Sequence, residues 1–223
     1  MNTNFTTGIP EIDRLTGSSI ENGSFLLAAG NDDEGMLSFL AEIENINERQ
    51  AGKEKNKSDG CRIVKMNSDT LESQRNFCNL FGNEKKEESD DTDFIFIIES
   101  ISEWVFSELY FKEKFSDEQE EERETVRQIR QIRSALNSFM TESQPKKRIV
   151  IGILHENIFS AGAENRIKHM ADSYFRFTVE EKGTQLERTI CIYKYKGGGI
   201  GGKILKYNLE DGKIKIETKK RIY

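Results

Sequence analysis

Three uninterrupted apolar runs punctuate an otherwise polar chain: Phe25-Leu26-Leu27-Ala28-Ala29, Phe94-Ile95-Phe96-Ile97-Ile98 and Ile149-Val150-Ile151-Gly152-Ile153-Leu154. Runs without alternation suit strands covered on both faces. Between them lie stretches of helical period. Leu37, Leu40, Ile43 and Ile46 share one face of a helix expected from Met36 onward, which packs back on the sheet. Arg62 to Met66 reads as a further strand, and Leu71 to Phe81 as a helix stopped by Gly82. Val126, Ile129, Ile132, Leu136, Phe139 and Met140 form the stripe of a long helix over Asp117 to Ser143. Ser116 and Gln119 fit its capping box, and Glu118 to Glu124 lie at its positive end. Strands alternating with helices predict a parallel sheet with crossover helices.

After a short helix around Asn165 to Met170 the period changes. Tyr174 to Glu180, Thr189 to Lys196, Ile204 to Leu209 and Lys213 to Thr218 alternate, with turn signals at Glu181-Lys182-Gly183 and Asp211-Gly212. This is the pattern of an antiparallel meander. The fold class expected is α/β: a twisted, mainly parallel sheet flanked by helices, with an antiparallel C-terminal meander. One domain spans residues 1–223, with residues 83–93 and 112–121 as flexible acidic segments.

Composition narrows the class. At 223 residues the chain suits one large domain, able to bury about 70% of its unfolded surface. Charged residues make up 32%, and no apolar run approaches the roughly 18 residues that span a bilayer, so a cytoplasmic protein with no membrane partner is expected. Cys61, Cys78 and Cys191 are far apart with no paired spacing, which fits a reducing compartment and argues against structural zinc. The net charge of -6 is unevenly spread: Lys194 to Tyr223 holds nine basic residues against three acidic ones. Lysines on the solvent face of strands account for that end, and an anion- or partner-binding surface is the sharper reading.

The first apolar run leads into Gly30-Asn31-Asp32-Asp33-Glu34-Gly35-Met36-Leu37. Strand, glycine, four residues, glycine and helix make the frame of a phosphate-binding loop. In a working loop the next residues are Lys, which reaches the outer phosphates, and Ser or Thr, which holds magnesium. Here Met36 and Leu37 stand in those places. Asp32, Asp33 and Glu34 put three negative charges where a polyphosphate would lie. One of these carboxylates is expected to satisfy the helix N-terminus instead of phosphate. Their consecutive spacing does not make a calcium loop, and no metal is expected. Gly197 to Lys203 joins two strands and lacks the helix that a second nucleotide loop requires. His155 with Glu156 ends a buried strand, where open α/β sheets place their sites, but no nucleophile stands nearby in the sequence. His169 falls on a polar helix face, and Trp104 is expected to pack a helix on the sheet.

The opening Phe5-Thr6-Thr7-Gly8-Ile9-Pro10-Glu11-Ile12-Asp13 resembles the entry segment of the KaiC-like branch of the RecA superfamily. Ile97-Ile98-Glu99-Ser100 resembles its Walker B strand, Ile151 to Glu156 its polar sensor strand, and Met170-Ala171-Asp172 its Ala-Asp turn. Tyr193-Lys194-Tyr195-Lys196-Gly197 resembles its Lys-x-Arg-Gly segment. The resemblance runs in order across nearly the whole chain. It implies a RecA-type core, an archaeal source, assembly into rings or shorter oligomers, and ATP between subunits in working members. Several nucleotide-facing places depart from the family pattern. The family's Glu pair after the second strand is replaced by Met66-Asn67-Ser68-Asp69-Thr70, where Asp69 takes one place. Glu99 keeps a carboxylate, while Lys194 and Lys196 keep charge without the guanidinium fork.

With catalytic residues absent, the nucleotide-site remnants are Gly30, Asp32, Asp33, Glu34, Gly35, Met36, Leu37, Asp69, Glu99, Ser100, His155, Lys194 and Lys196. The resemblance and its departures together lead to a catalytically inactive KaiC-like protein with no cofactor. Its role would be regulation, scaffolding or assembly beside other proteins, such as an active homologous ATPase or further copies of itself. Two other readings stay open. One is a residual signalling ATPase using magnesium-ATP with Glu99, Asp69 and Lys194. The other is a DNA-repair accessory that binds nucleic acid through its basic end, against the repulsion of the acidic remainder.

Overall fold

The computed structural model describes residues 5–17, 20, 23–53, 61–66, 93–101, 123, 126–127, 130, 148–194 and 202–217. The expected helix over Leu71 to Phe81, the acidic segments at 83–92 and 112–121, Trp104, and the glycine-rich stretch 197–201 fall outside these residues. So does most of the expected long helix, of which Arg123, Val126, Arg127 and Arg130 are helical.

The apolar runs become neighbouring strands. β1 (Ser24–Gly30), buried along its whole length, lies between β4 (Arg148–His155) and β5 (Ser173–Lys182). β3 (Asp93–Ile98) flanks β4, and β2 (Cys61–Met66) flanks β3. These five strands are parallel. β6 (Gln185–Lys194), β7 (Lys203–Glu210) and β8 (Lys213–Ile216) then extend the sheet as an antiparallel meander. The full order is β2-β3-β4-β1-β5-β6-β7-β8. A twisted parallel core with an antiparallel C-terminal part is the α/β class that the hydrophobic pattern predicts. The β7–β8 hairpin turns on Asp211-Gly212, both at positive φ, as a two-residue turn compatible with strand twist requires.

Strand alternation assigns the faces. Phe175 and Phe177 of β5 pack on Phe39 of α2 (Asp33–Lys53), with ring centroids 5.5 and 5.3 Å apart. Arg176, one residue out of phase, turns to the opposite face, towards α3 (Ala161–Met170). The core gathers on the α2 face, where Ile190 and Ile192 of β6, Tyr207 of β7 and Ile214 of β8 are buried. α2 begins three residues earlier than the sequence reading, at Asp33 instead of Met36. α3 likewise starts at Ala161, with the Ser160 hydroxyl accepting from the Ala163 amide at 3.4 Å. The entry segment, with α1 (Pro10–Thr16), is held by one carboxylate: Asp13 accepts from the Thr6 hydroxyl, the Thr7 hydroxyl and the Thr7 amide.

Candidate functional site

The early start of α2 changes the loop. A phosphate loop keeps four residues between its glycines outside the helix, so that their amides can ring an anion. Here only Asn31 and Asp32 separate β1 from α2, and Gly35 lies in the first helical turn. Asp32 is the cause. Its Oδ1 accepts from the Gly35 amide at 3.0 Å, and its carbonyl accepts the first helical bond from the Met36 amide at 2.9 Å. A side-chain oxygen therefore fills the amide position that phosphate would need, as an N-cap does.

The rest of the chain is built around that carboxylate. Asp32 is 2% exposed, so its charge needs partners within the fold. The Arg188 guanidinium of β6 donates to Asp32 Oδ1 at 2.6 Å and to Glu34 Oε2 at 2.6 Å. The Tyr207 hydroxyl of β7 donates to the other Asp32 oxygen. Arg188 and Tyr207 are register partners on adjacent strands, which puts both side chains on the α2 face. Burial, together with Asp32, pushes the Tyr207 hydroxyl well above its ordinary pKa, so it stays a donor throughout the neutral range. The Arg188 guanidinium is raised as well: burial alone would lower it, but Glu34 and Asp32 prevail.

The glycines fit this closed arrangement. A Cβ on Gly35 would lie 1.9 Å from the Tyr207 hydroxyl oxygen. Gly30 has φ +150, and a Cβ there would lie 1.7 Å from the Phe177 carbonyl oxygen. Asn31 then ties the loop to β5, its amide donating to Phe177 O and its side chain exchanging two bonds with the Val179 backbone.

The other expected residues distribute unevenly. Asp33 leaves the cap and meets His155 Nδ1 at 2.8 Å across the carboxyl ends of β1 and β4. Met36 is fully buried, whereas Leu37 is exposed. Glu99 and Ser100 sit at the end of β3, with Glu99 3.8 Å from Lys65, which itself pairs with Glu44 at 2.9 Å. His155 and Glu156 do not form an acid/base pair. Glu156 takes Lys168 at 3.1 Å and Arg176 at 2.9 Å instead. Burial raises its pKa, but these bonds outweigh burial and hold its carboxyl below the ordinary 4.5. Lys194 lies at the opposite end of the sheet, donating to the Ala171 and His169 carbonyls at the end of α3. Asp69 and Lys196 fall outside the described residues.

Sequence reading missed Arg188 and Tyr207. Arg188 carried a usable signal: it stands two residues before the buried Ile190, in the same register of β6. A cation in a buried register calls for a buried carboxylate. A cleft of about 600 Å³ opens beyond Arg188 where β6 and β7 diverge, lined by Lys182, Glu187, Lys206 and Asn208 among others. Glu187 binds both of these lysines and Glu180 lies 3.9 Å from Lys182, so the two cations face two carboxylates. Among the described residues no group of three His, Cys, Asp or Glu side chains could hold a metal ion. No described helix is long and apolar enough to cross a membrane.

The sequence matches no protein-family model and no curated protein. Its structure does have counterparts. The crystal structure of a KaiC-like protein from the archaeon Pyrococcus horikoshii aligns over 96% of this chain and 99% of its own, with a TM-score of 0.59 and 14% identity. The flagellar accessory protein FlaH of Methanocaldococcus jannaschii aligns over 93% of this chain and 95% of its own, with a TM-score of 0.54 and 14% identity. In its fold this chain is therefore similar to KaiC-like and FlaH proteins of the RecA type.

Proposed function

We propose that this chain is a non-catalytic RecA-fold protein that regulates or assembles other proteins and does not use nucleotide. The observation that carries this reading is the buried Asp32–Arg188–Tyr207 network at the start of α2. Phosphate binding would have to displace Asp32 from the helix amide, break a charge pair, and approach Asp33 and Glu34. Like charges about 4 Å apart repel by roughly 1 kcal/mol in water and about 4 kcal/mol near a protein surface, so several carboxylates offset the attraction of the helix end. Neither Met36 nor Leu37 supplies a charge or a metal ligand in return.

The name of FlaH as an accessory protein is in keeping with a role exercised beside other proteins. Binding to nucleic acid through the basic end fits less well. The lysines of β7 and β8 alternate with Glu187, Glu210 and Glu217, so they form no unbroken basic face for a phosphate backbone.

Calorimetric titration with Mg-ATP and with Mg-ADP tests the proposal. No heat of binding and no shift in melting temperature are expected. Micromolar binding, or turnover above a buffer blank, would overturn it.

A further inference from the structure

We infer that the open edge of β8 is a docking strand for an extended partner segment in which acidic and apolar residues alternate. The inference rests on the assembly role proposed above and gives it a place and a chemistry. β8 closes one end of the sheet, and among the described residues its only strand partner is β7.

The direction of its backbone groups follows from the ladder. The Glu217 amide donates to Lys206 O at 2.8 Å, extending a register in which Asn208 faces Lys215 and Glu210 faces Lys213. In an antiparallel pair hydrogen-bonded positions alternate. Lys213, Lys215 and Glu217 therefore turn their backbone groups towards β7. Ile214 and Ile216 turn theirs outward, where an added strand can pair with them.

The side chains specify what that strand carries. Ile214, 6% exposed, and half-buried Ile216 lie on the α2 face, so incoming residues opposite them extend an apolar layer beside α2. Lys213 and Lys215 are exposed on the other face, so residues opposite them are carboxylates. A second copy of β8 paired antiparallel about Ile214 or Lys215 would place lysine against lysine, which the same rule disfavours. Lys213 has Glu210 directly opposite it across the hairpin, whereas opposite Lys215 is Asn208, whose side-chain amide donates at 3.2 Å to Glu217, two residues beyond Lys215. Lys215 is therefore the stronger determinant.

The test is fluorescence polarisation on the full chain, with a labelled nine-residue peptide of alternating valine and glutamate as probe. Binding on the order of micromolar is expected, weakening as salt rises from about 50 to about 300 mM. Lys215→Glu should weaken it by about tenfold, and Lys213→Glu by less. Ile216→Pro, which removes an outward amide, should abolish it. Melting curves of the two lysine variants should match the parent, because both side chains are exposed. Absence of binding at millimolar peptide would overturn the inference. So would equal binding to Lys215→Glu, or equal binding of a peptide with the same composition but its glutamates in one block. Nucleotide titration decides the non-catalytic reading separately, so the two can fail independently.

Discussion

The N-termini of α2 and α3 are built in contrasting ways. α3 is capped locally, by the Ser160 hydroxyl three residues before the amide it accepts from. α2 is capped by Asp32, whose own partners come from strands 156 and 175 positions further along the chain. The α3 cap could be lost with only its own helix affected. The α2 cap is a junction between the parallel core and the antiparallel extension, because Arg188 and Tyr207 belong to β6 and β7. A helix end that in a phosphate loop faces a ligand is here part of the protein's own framework.

Breaking the junction should have the largest effect. Arg188→Ala leaves a buried carboxylate short of its counter-ion and is expected to cost about 3 kcal/mol, lowering the melting temperature by roughly 6–12 °C. A melting curve indistinguishable from the parent would mean that Asp32 is not buried with its charge. Tyr207→Phe removes one donor and keeps the ring; a loss of about 1–2 kcal/mol in denaturant unfolding is expected, and no loss would remove the hydroxyl from the network.

On the α3 side the effects are smaller. The Glu156 carboxyl, bonded to Lys168 and Arg176, is held below 4.5 in the fold, so its contribution is present above that pH and is lost as pH falls through the lowered value. Glu156→Gln should cost about 1 kcal/mol at neutral pH, and the gap to the parent should close in acid. Parallel stability curves down to low pH would contradict this assignment. Ser160→Ala should be mildest, at about 0.5 kcal/mol, since the cap bond is long at 3.4 Å. A loss as large as that of Arg188→Ala would erase the contrast between the two helix ends.

Much of the fold was legible because the central strands are covered on both faces and must be apolar throughout. β1, β3 and β4 are continuous apolar runs for that reason, and alternation marks β5 to β8, whose second face is largely wet. The start of α2 was less legible. The spacing Gly30 to Gly35 matches an open loop, but spacing alone does not tell a residue ringing a ligand from one already in the helix. That distinction depends on whether Asp32 finds a buried counter-charge, and its partner is separated by most of the chain. The separate partners of His155 and Glu156 follow from strand geometry alone. Adjacent residues at a strand end point to opposite faces, so one meets Asp33 and the other meets Lys168 and Arg176.

The strand order also sets a sequence of events in time. β1 is made early, but the strands on either side of it begin at Arg148 and Ser173, and the partners of Asp32 are at Arg188 and Tyr207. The entropy of closing such long loops must be met before these contacts can stabilise anything, which places folding among the slower topologies. A growing chain that has reached Lys182 holds every strand of the parallel core, yet its Asp32 carboxylate still lacks Arg188 and Tyr207. The arrival of β6 and then β7 is thus registered at the loop between β1 and α2, and a chain cut short before β7 leaves Asp32 without the Tyr207 hydroxyl.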